Sequence, residues 1–224
     1  MQPRSESVQS WAAVGRIVSI NVGRAAEIGT RRGHPVRSAI GKATVAGPVR
    51  IEGASVAGDE QADRTVHGGP DKAVYAYAME EYIWWSRALG RDLPPGTFGE
   101  NLTVEGVEVR GALVGERWRA GAALLEVCQP RLPCFKLQMR VGEPGFVRRF
   151  AEASRPGAYL RILAPGEVQA GDELEVLERP AHGVTVARVS DAIQLEKTPA
   201  ALRAVLAAPA LPDGLAQWLA ERAA

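Results

Sequence analysis

Glycine and proline punctuate this chain at short intervals: 24 glycines and 15 prolines are scattered through 224 residues rather than gathered into linkers. That spacing leaves little room for long helices, because in a helix interior glycine costs about 1 kcal/mol and proline about 3 kcal/mol relative to alanine. Between the breaks lie short runs rich in Val, Ile, Leu and Tyr, at residues 15–22, 36–40, 47–52, 73–78, 101–104, 122–129, 158–163 and 172–178. Several end near Gly58-Asp59, Pro165-Gly166 or Gly171-Asp172, pairs that suit tight turns because glycine takes positive φ without a steric cost. The fold class this predicts is mainly β, a barrel occupying residues 1–181. The spacing is too irregular for a plain up-and-down meander.

Two segments depart from the strand texture. Residues 80–89 open with Glu80 and Glu81, place Tyr82, Trp85 and Leu89 at helical spacing, and end with Arg87 and Gly90. Residues 145–153 set Phe146, Val147 and Phe150 on one face. Both aromatic sets are expected to be core. From residue 182 glycine thins out and alanine-rich amphipathic stretches take over, predicting a three-helix appendage over residues 182–224. Thr185 is expected to cap a first helix, Thr198 a second with Pro199 at its first position, and Asp213 a third. About 43 residues bury little core alone, so this unit must pack on the barrel, in a dimer or on a partner.

A formal charge of +1 gives no overall field that would attract nucleic acid or an acidic membrane surface. Two cysteines, no signal-like N-terminus and no long apolar run point to a soluble, cytoplasmic protein. The three histidines show no metal-ligand spacing, and there is no nucleophile elbow, zinc helix or Rossmann fingerprint.

Three elements can carry chemistry. In Gln129-Pro130-Arg131-Leu132-Pro133-Cys134-Phe135-Lys136 two prolines stiffen the approach to a cysteine set among Arg131, Lys136 and Arg140. Neighbouring cations favour a thiolate, the form that ligates metals and attacks electrophiles. Cys128, in an apolar run, is expected to pack as a small hydrophobe. The second element, His67-Gly68-Gly69-Pro70-Asp71-Lys72, offers adjacent glycines and a lysine at one turn, a combination that can cradle phosphate or serve as a plain turn. In the third, Phe98-Gly99-Glu100-Asn101-Leu102, Asn101 offers a donor and an acceptor to a heterocycle edge or to its own backbone, and Glu100 reads as a surface carboxylate.

The ordered set resembles the MOSC domain family, named from the C-terminal domain of molybdenum cofactor sulfurases, and within it the small bacterial YiiM-like branch. The likeness rests on Gly58-Asp59 with Gln61 and Asp63, His67-Gly68-Gly69 with Asp71 to Tyr75, Phe98 to Leu102, Gln129-Pro130-Arg131 with Pro133-Cys134 and Lys136-Leu137, and Gly157 with Tyr159-Leu160-Arg161. It implies a twisted, mostly antiparallel barrel related to the pyruvate kinase β-barrel domain, with the helical tail this branch carries. It also implies molybdenum cofactor (molybdopterin) binding with Cys134 as the metal ligand. His67, Gly68, Gly69, Lys72, Asn101 and Arg131 then become candidate contacts to the pterin and its phosphate. The implied activity is reduction of N-hydroxylated small molecules, including hydroxylamino bases, to amines, with electrons from a separate flavoprotein or iron–sulfur protein. A Cys134 persulfide acting as sulfur carrier, or a cofactor carrier without turnover, are the alternatives. A homodimer through the tail is a further expectation.

Overall fold

A computed structural model describes residues 13–62 and 68–224. The first twelve residues, Asp63 and His67 fall outside those residues. In chain order the strands are β1 (Val14–Val22), β2 (Ala26–Arg31), β3 (His34–Ser38), β4 (Ala43–Val45), β5 (Val49–Glu52), β6 (Ser55–Val56) and β7 (Val74–Ala78). They continue with β8 (Leu102–Glu105), β9 (Arg117–Ala120), β10 (Ala123–Pro130), β11 (Ala158–Ala164), β12 (Gly166–Val168) and β13 (Glu173–Glu178). Seven of them close a ring in the order β13-β9-β10-β11-β7-β8-β1, completed by β1 against β13. The described joints are antiparallel except β7 beside β8. The predicted barrel is therefore present, mostly antiparallel and closed, which removes the exposed edges of its main sheet.

Alternation explains the ring. β1 buries Ile17 and Ile20, β10 buries Leu125 and Val127, and β13 buries Leu174. Trp118 of β9, 1 % exposed, fills the interior between charged Arg117 and Arg119, which face outward. This strand was not anticipated, because two arginines in four residues mask one buried tryptophan. The strand expected at residues 36–40 appears as β3, two residues earlier, while its hairpin partner β2 and the strand β4 are not expected from the sequence. They are short, and most of their residues are exposed.

Helix α1 (Met79–Leu89) follows β7 directly and ends at Gly90 in the left-handed region, as the spacing predicted. Helices α2 (Phe135–Val141) and α3 (Phe146–Glu152) lie between β10 and β11. Tyr77, Tyr82, Trp85, Phe98, Phe146 and Phe150 form a second core outside the ring. There Trp85 donates its indole N–H to Tyr77 at 2.8 Å, and Tyr77 donates to the carbonyl of Arg155 at 3.0 Å, so the polar edges of two buried rings are satisfied.

The tail comprises α4 (Val186–Asp191), a π turn (Ala192–Glu196), α5 (Pro199–Val205) and α6 (Asp213–Ala223). Thr185 and Thr198 cap as predicted, accepting from the amides of Arg188 at 3.0 Å and Ala201 at 3.2 Å. Asp213 does not cap α6. The carbonyl of Pro212 accepts from Leu215 and Ala216, both at 2.9 Å, so the helix starts one residue earlier and Asp213 sits in its first turn. Of the three packing options open to the tail, the chain uses the first: Val186, Val189, Leu202, Val205 and Leu219 belong to the same apolar core as the barrel's Leu125 and Val127.

Gly157, just before β11, shows how tightly the rim is built. Its φ is +66°, and a Cβ there would stand 2.7 Å from both the Ala76 carbonyl oxygen and the Tyr75 hydroxyl. Gly157→Ala is expected to lower stability by about 1–3 kcal/mol through that clash, read as a lower urea midpoint at unchanged slope; an unchanged midpoint would refute the packing argument.

Candidate functional site

One end of the ring carries a hollow built from four loops. Cys134, Arg131, Lys72 and Asn101, assigned from separate stretches of sequence, all line it, together with Lys42, Asp59, Tyr75 and Lys136. Its cavity volume is about 80 Å³. Sequence spacing could not have assembled these groups. Closing β10, β11, β7 and β8 side by side does, because the loops at that end converge.

Cys134 ends the proline-stiffened segment and immediately precedes α2, a helix beyond those expected from the sequence. Its backbone is extended (φ −134°, ψ 170°), and its carbonyl accepts from the Leu137 amide at 3.0 Å. Phe135 onward turns helical to bury Leu137 and Val141. The cysteine itself is only partly buried, on the wall of the hollow.

Arg131 is the electrostatic centre. It is 6 % exposed, donates to the Phe98 carbonyl, and lies with its guanidinium carbon 5.3 Å from the centre of the Tyr75 ring. No carboxylate pairs with it among the described residues. Burial disfavours its charge, but the nearby Tyr75, Tyr159 and Cys134, all able to carry negative charge, raise its pKa on balance. Gly99 makes room for it: at φ +74° a Cβ there would meet Ile40 at 2.7 Å and Arg131 at 3.6 Å.

Opposite stands a buried ion pair the sequence did not announce. Lys42 and Asp59, with side chains 8 % and 6 % exposed, are directly paired. Asp59 also accepts from the Gly23 amide at 2.7 Å and from Asn101 Nδ2 at 2.9 Å. Desolvation lowers the Lys42 pKa, and Asp59 opposes that shift. No local pattern marked Lys42. Its burial arises only when the loop after β3 folds over β1.

Asn101 works as a brace. Its Oδ1 accepts from the Tyr75 amide at 3.1 Å, and its Nδ2 donates to Asp59 and, at 3.3 Å, to the Asn21 carbonyl. Both amide hydrogens are thus taken by protein. The Gly69 amide donates to Gln61 Oε1 at 3.2 Å, and Gly68 and Gly69 line an adjoining groove, so what the turn delivers to the hollow is Lys72.

Glu100 corrects the expectation of a surface carboxylate. It is fully buried, and its Oε1 accepts from Tyr82 at 2.5 Å, the Gly96 amide at 2.6 Å and Thr103 at 2.8 Å. Among the described residues Oε2 has no partner. Desolvation raises its pKa against those bonds.

Cys128 behaves as the sequence suggested. It is fully buried, its Sγ lies 2.9 Å from the Asp71 carbonyl oxygen and 3.3 Å from that of Tyr159, and burial pushes its pKa up to about 12. No group of three or more metal-ligating side chains occurs among the described residues, and no described helix is long and apolar enough to cross a membrane.

The MOSC domain family model matches residues 63–175, a span that holds Lys72, Asn101, Arg131 and Cys134 of the hollow but not Lys42 or Asp59. YflK of Bacillus subtilis is 36 % identical over 170 residues, 76 % of each chain. A reductase of Gibberella moniliformis is 35 % identical over 167 residues, 72 % of this chain but 29 % of that protein. The crystal structure of YiiM from Geobacillus stearothermophilus superimposes with a TM-score of 0.78 at 31 % identity, covering 94 % of this chain and all of that one.

Two predictions follow from the geometry. Under native conditions iodoacetamide should modify Cys134 and spare Cys128 until the protein is unfolded, as read by peptide mass spectrometry; equal labelling of both would refute the contrast. A carboxyl whose folded pKa is raised holds its proton above pH 4.5, where the unfolded chain has lost it, so its contribution to stability is full below 4.5 and falls as pH rises. Glu100→Gln keeps the acceptor and cannot titrate, so its stability relative to the native protein should improve between pH 5 and pH 8 in urea unfolding. A constant difference would show that Glu100 is ionised throughout.

Proposed function

The chain belongs to the MOSC domain family, and on that premise we propose that it binds the molybdenum cofactor through Cys134 and reduces N-hydroxylated small molecules to amines. The observation that carries this reading is the pairing of a partly exposed cysteine with a buried guanidinium that has no carboxylate partner among the described residues, on the wall of one hollow. A soft thiolate suits a sulfur-ligated transition metal, and a cation without a protein counter-ion suits an anionic ligand. The donor set therefore fits the group the family implies.

Cys134 Sγ would hold the metal. Arg131, with Lys72 and Lys136 on the same wall, would offset the negative charge of the thiolate and of a pterin phosphate. When bound, the cofactor supplies the two-electron redox chemistry. The protein supplies placement: Asn101 fixes Asp59, Asp59 fixes the Lys42 ammonium, and that proton-bearing Nζ is held at the hollow without free rotation. The overall balance is R–NHOH plus two electrons and two protons giving R–NH2 and water. The sequence has two cysteines and no nucleotide fingerprint, so the electrons are assigned to a separate donor protein. The fungal relative's description as a reductase supports the reaction class.

The test is elemental analysis of protein purified from a host that makes the cofactor. Native protein should carry near-stoichiometric molybdenum and Cys134→Ser a sharply reduced content. Equal metal in both ends the ligand assignment, and a persulfide on Cys134 without molybdenum in the native protein would replace this reading with sulfur transfer.

A further inference from the structure

Beside the Cys134 hollow the β2–β3 hairpin and helix α2 form a face with an uneven charge. Residues 24–37 and 135–141 hold six basic side chains, Arg24, Arg31, Arg32, Arg37, Lys136 and Arg140, against one carboxylate, Glu27. The chain's formal charge is only +1, so the rest of it is net negative. None of the six is in an ion pair among the described residues. On the ring, by contrast, the exposed Arg16, Arg117 and Arg119 each have a carboxylate partner. The acidic groups next to the face are engaged elsewhere: Asp59 is paired with Lys42, and Glu60 accepts from the Ala25 amide at 2.8 Å. We propose that this basic face is the docking site of the electron donor, and that the donor is a protein carrying its redox group within a ring of carboxylates.

The face is continuous with the hollow. Ser38 ends β3, Lys136 lies in the first turn of α2, and both line the cavity. Arg31 lays its guanidinium carbon 3.9 Å from the ring centre of Phe135, the residue after Cys134, and Arg140 donates to the Lys42 carbonyl at 3.5 Å. Strand β2 is pressed on the helix so closely that a Cβ on Gly29 would stand 2.9 Å from Met139 Cε. A partner seated here brings its redox group to the mouth of the hollow. The hairpin tip adds an independent sign. Arg31 pairs with His34, which leaves Arg32 and Gly33 as a two-residue turn with φ of +51° and +78°. Asn, Asp or Gly ordinarily takes the first of those positions, because a larger side chain is strained in the left-handed region. Here the chain keeps an exposed guanidinium there instead. A weak overall field does not suit a polyanion such as nucleic acid or an acidic membrane. A local cluster beside a redox site suits a protein with a matching acidic patch, which such charges steer and orient.

The proposal rests on the cofactor reading for the reason a donor is needed, but not for the contact itself. A reduced flavin, FMNH2, becomes FMN by giving up two electrons and two protons, and R–NHOH takes up two of each to give R–NH2 and water.

The probe is flavodoxin, a small acidic FMN protein, titrated calorimetrically into the full-length chain prepared with and without molybdenum cofactor. Both preparations should bind it equally, and more weakly as salt rises from about 0.01 M to about 0.15 M, over which the screening length falls from about 30 Å to about 8 Å. Arg31→Glu combined with Arg140→Glu should cost about tenfold or more in affinity. Arg16→Glu, at the far end of β1, should cost nothing. Arg32→Asn should weaken binding about twofold to fivefold while raising the melting temperature, because the turn is relieved; a purely structural role would move the two together. Circular dichroism establishes that the charge-reversed protein is folded. No binding of flavodoxin by native protein, equal affinity in the folded charge-reversed variant, or tighter binding to duplex DNA or phosphatidylserine vesicles at the higher salt overturns the proposal. Failure of the cofactor reading gives a different pattern: native protein without molybdenum, whose flavodoxin binding still depends on the face, removes the reductase and keeps the docking site. Equal rates of flavodoxin hydroquinone oxidation by molybdenum-loaded native and charge-reversed proteins would keep the reductase and remove the docking site.

Discussion

The arrangement turns on what Asn101 does at the one parallel joint among the described strands. Where β7 and β8 run side by side, an ordinary antiparallel ladder cannot continue at the rim, and backbone groups of β1 and β7 would be left open. Asn101 satisfies them from a single residue. Its amide donates to the Tyr75 carbonyl at 2.8 Å and its own carbonyl accepts from the Asn21 amide at 2.7 Å, while its side chain repeats the connection in the other direction. The second amide hydrogen then fixes Asp59, and through it Lys42. One side chain thus joins the scaffold to the polar floor of the hollow, and a buried ion pair that would be costly if misaligned is held in register.

Charge is distributed across the hollow in two ways. On one side the positive group is matched: Lys42 has Asp59. On the other the guanidinium of Arg131 is held by a carbonyl and the face of a tyrosine ring, neither of which cancels its charge. A low-dielectric wall with an uncancelled cation holds a standing preference for a negative partner. The thiol six residues before Cys134 has the opposite surroundings. Cys128 sits among carbonyl oxygens with its charge suppressed by burial, so two cysteines close in sequence have divergent chemistry.

How much of this was legible depended on whether the signal was local. Strands β1, β7, β10 and β11 announced themselves as runs rich in apolar residues between turn signals, and β13 as leucine and valine alternating with glutamate after Gly171-Asp172. The Arg-Trp-Arg-Ala strand β9 did not, since four residues offer too short a period to separate from a loop. Helix α2 was hidden behind Pro130 and Pro133, and only Leu137 and Val141 mark its buried face. Within the hollow, Cys134 and Arg131 stood out because prolines and cations cluster around them in sequence. Lys42 and Glu100 did not, because burial of a charged side chain is decided by distant segments. Asn101 was legible as a polar residue of interest, but whether its amide faced a ligand or the backbone was a tertiary fact.

The pairing of Val14, Gly15 and Arg16 with Glu175, Leu174 and Glu173 has a consequence for how the chain is made. β4 and β8 can pair with β1 earlier, but its pairing to β13 waits for a strand about 160 residues downstream, and at ribosomal speeds of about 5–20 residues per second that delay is roughly 10–30 s. During it the ring stays open between β1 and β13, and the last ladder forms only after most of the chain has emerged. Such a topology folds late and slowly because its long-range contacts reward the chain only at the end. Nascent copies should depend on holding chaperones more heavily than a helical protein of equal length does.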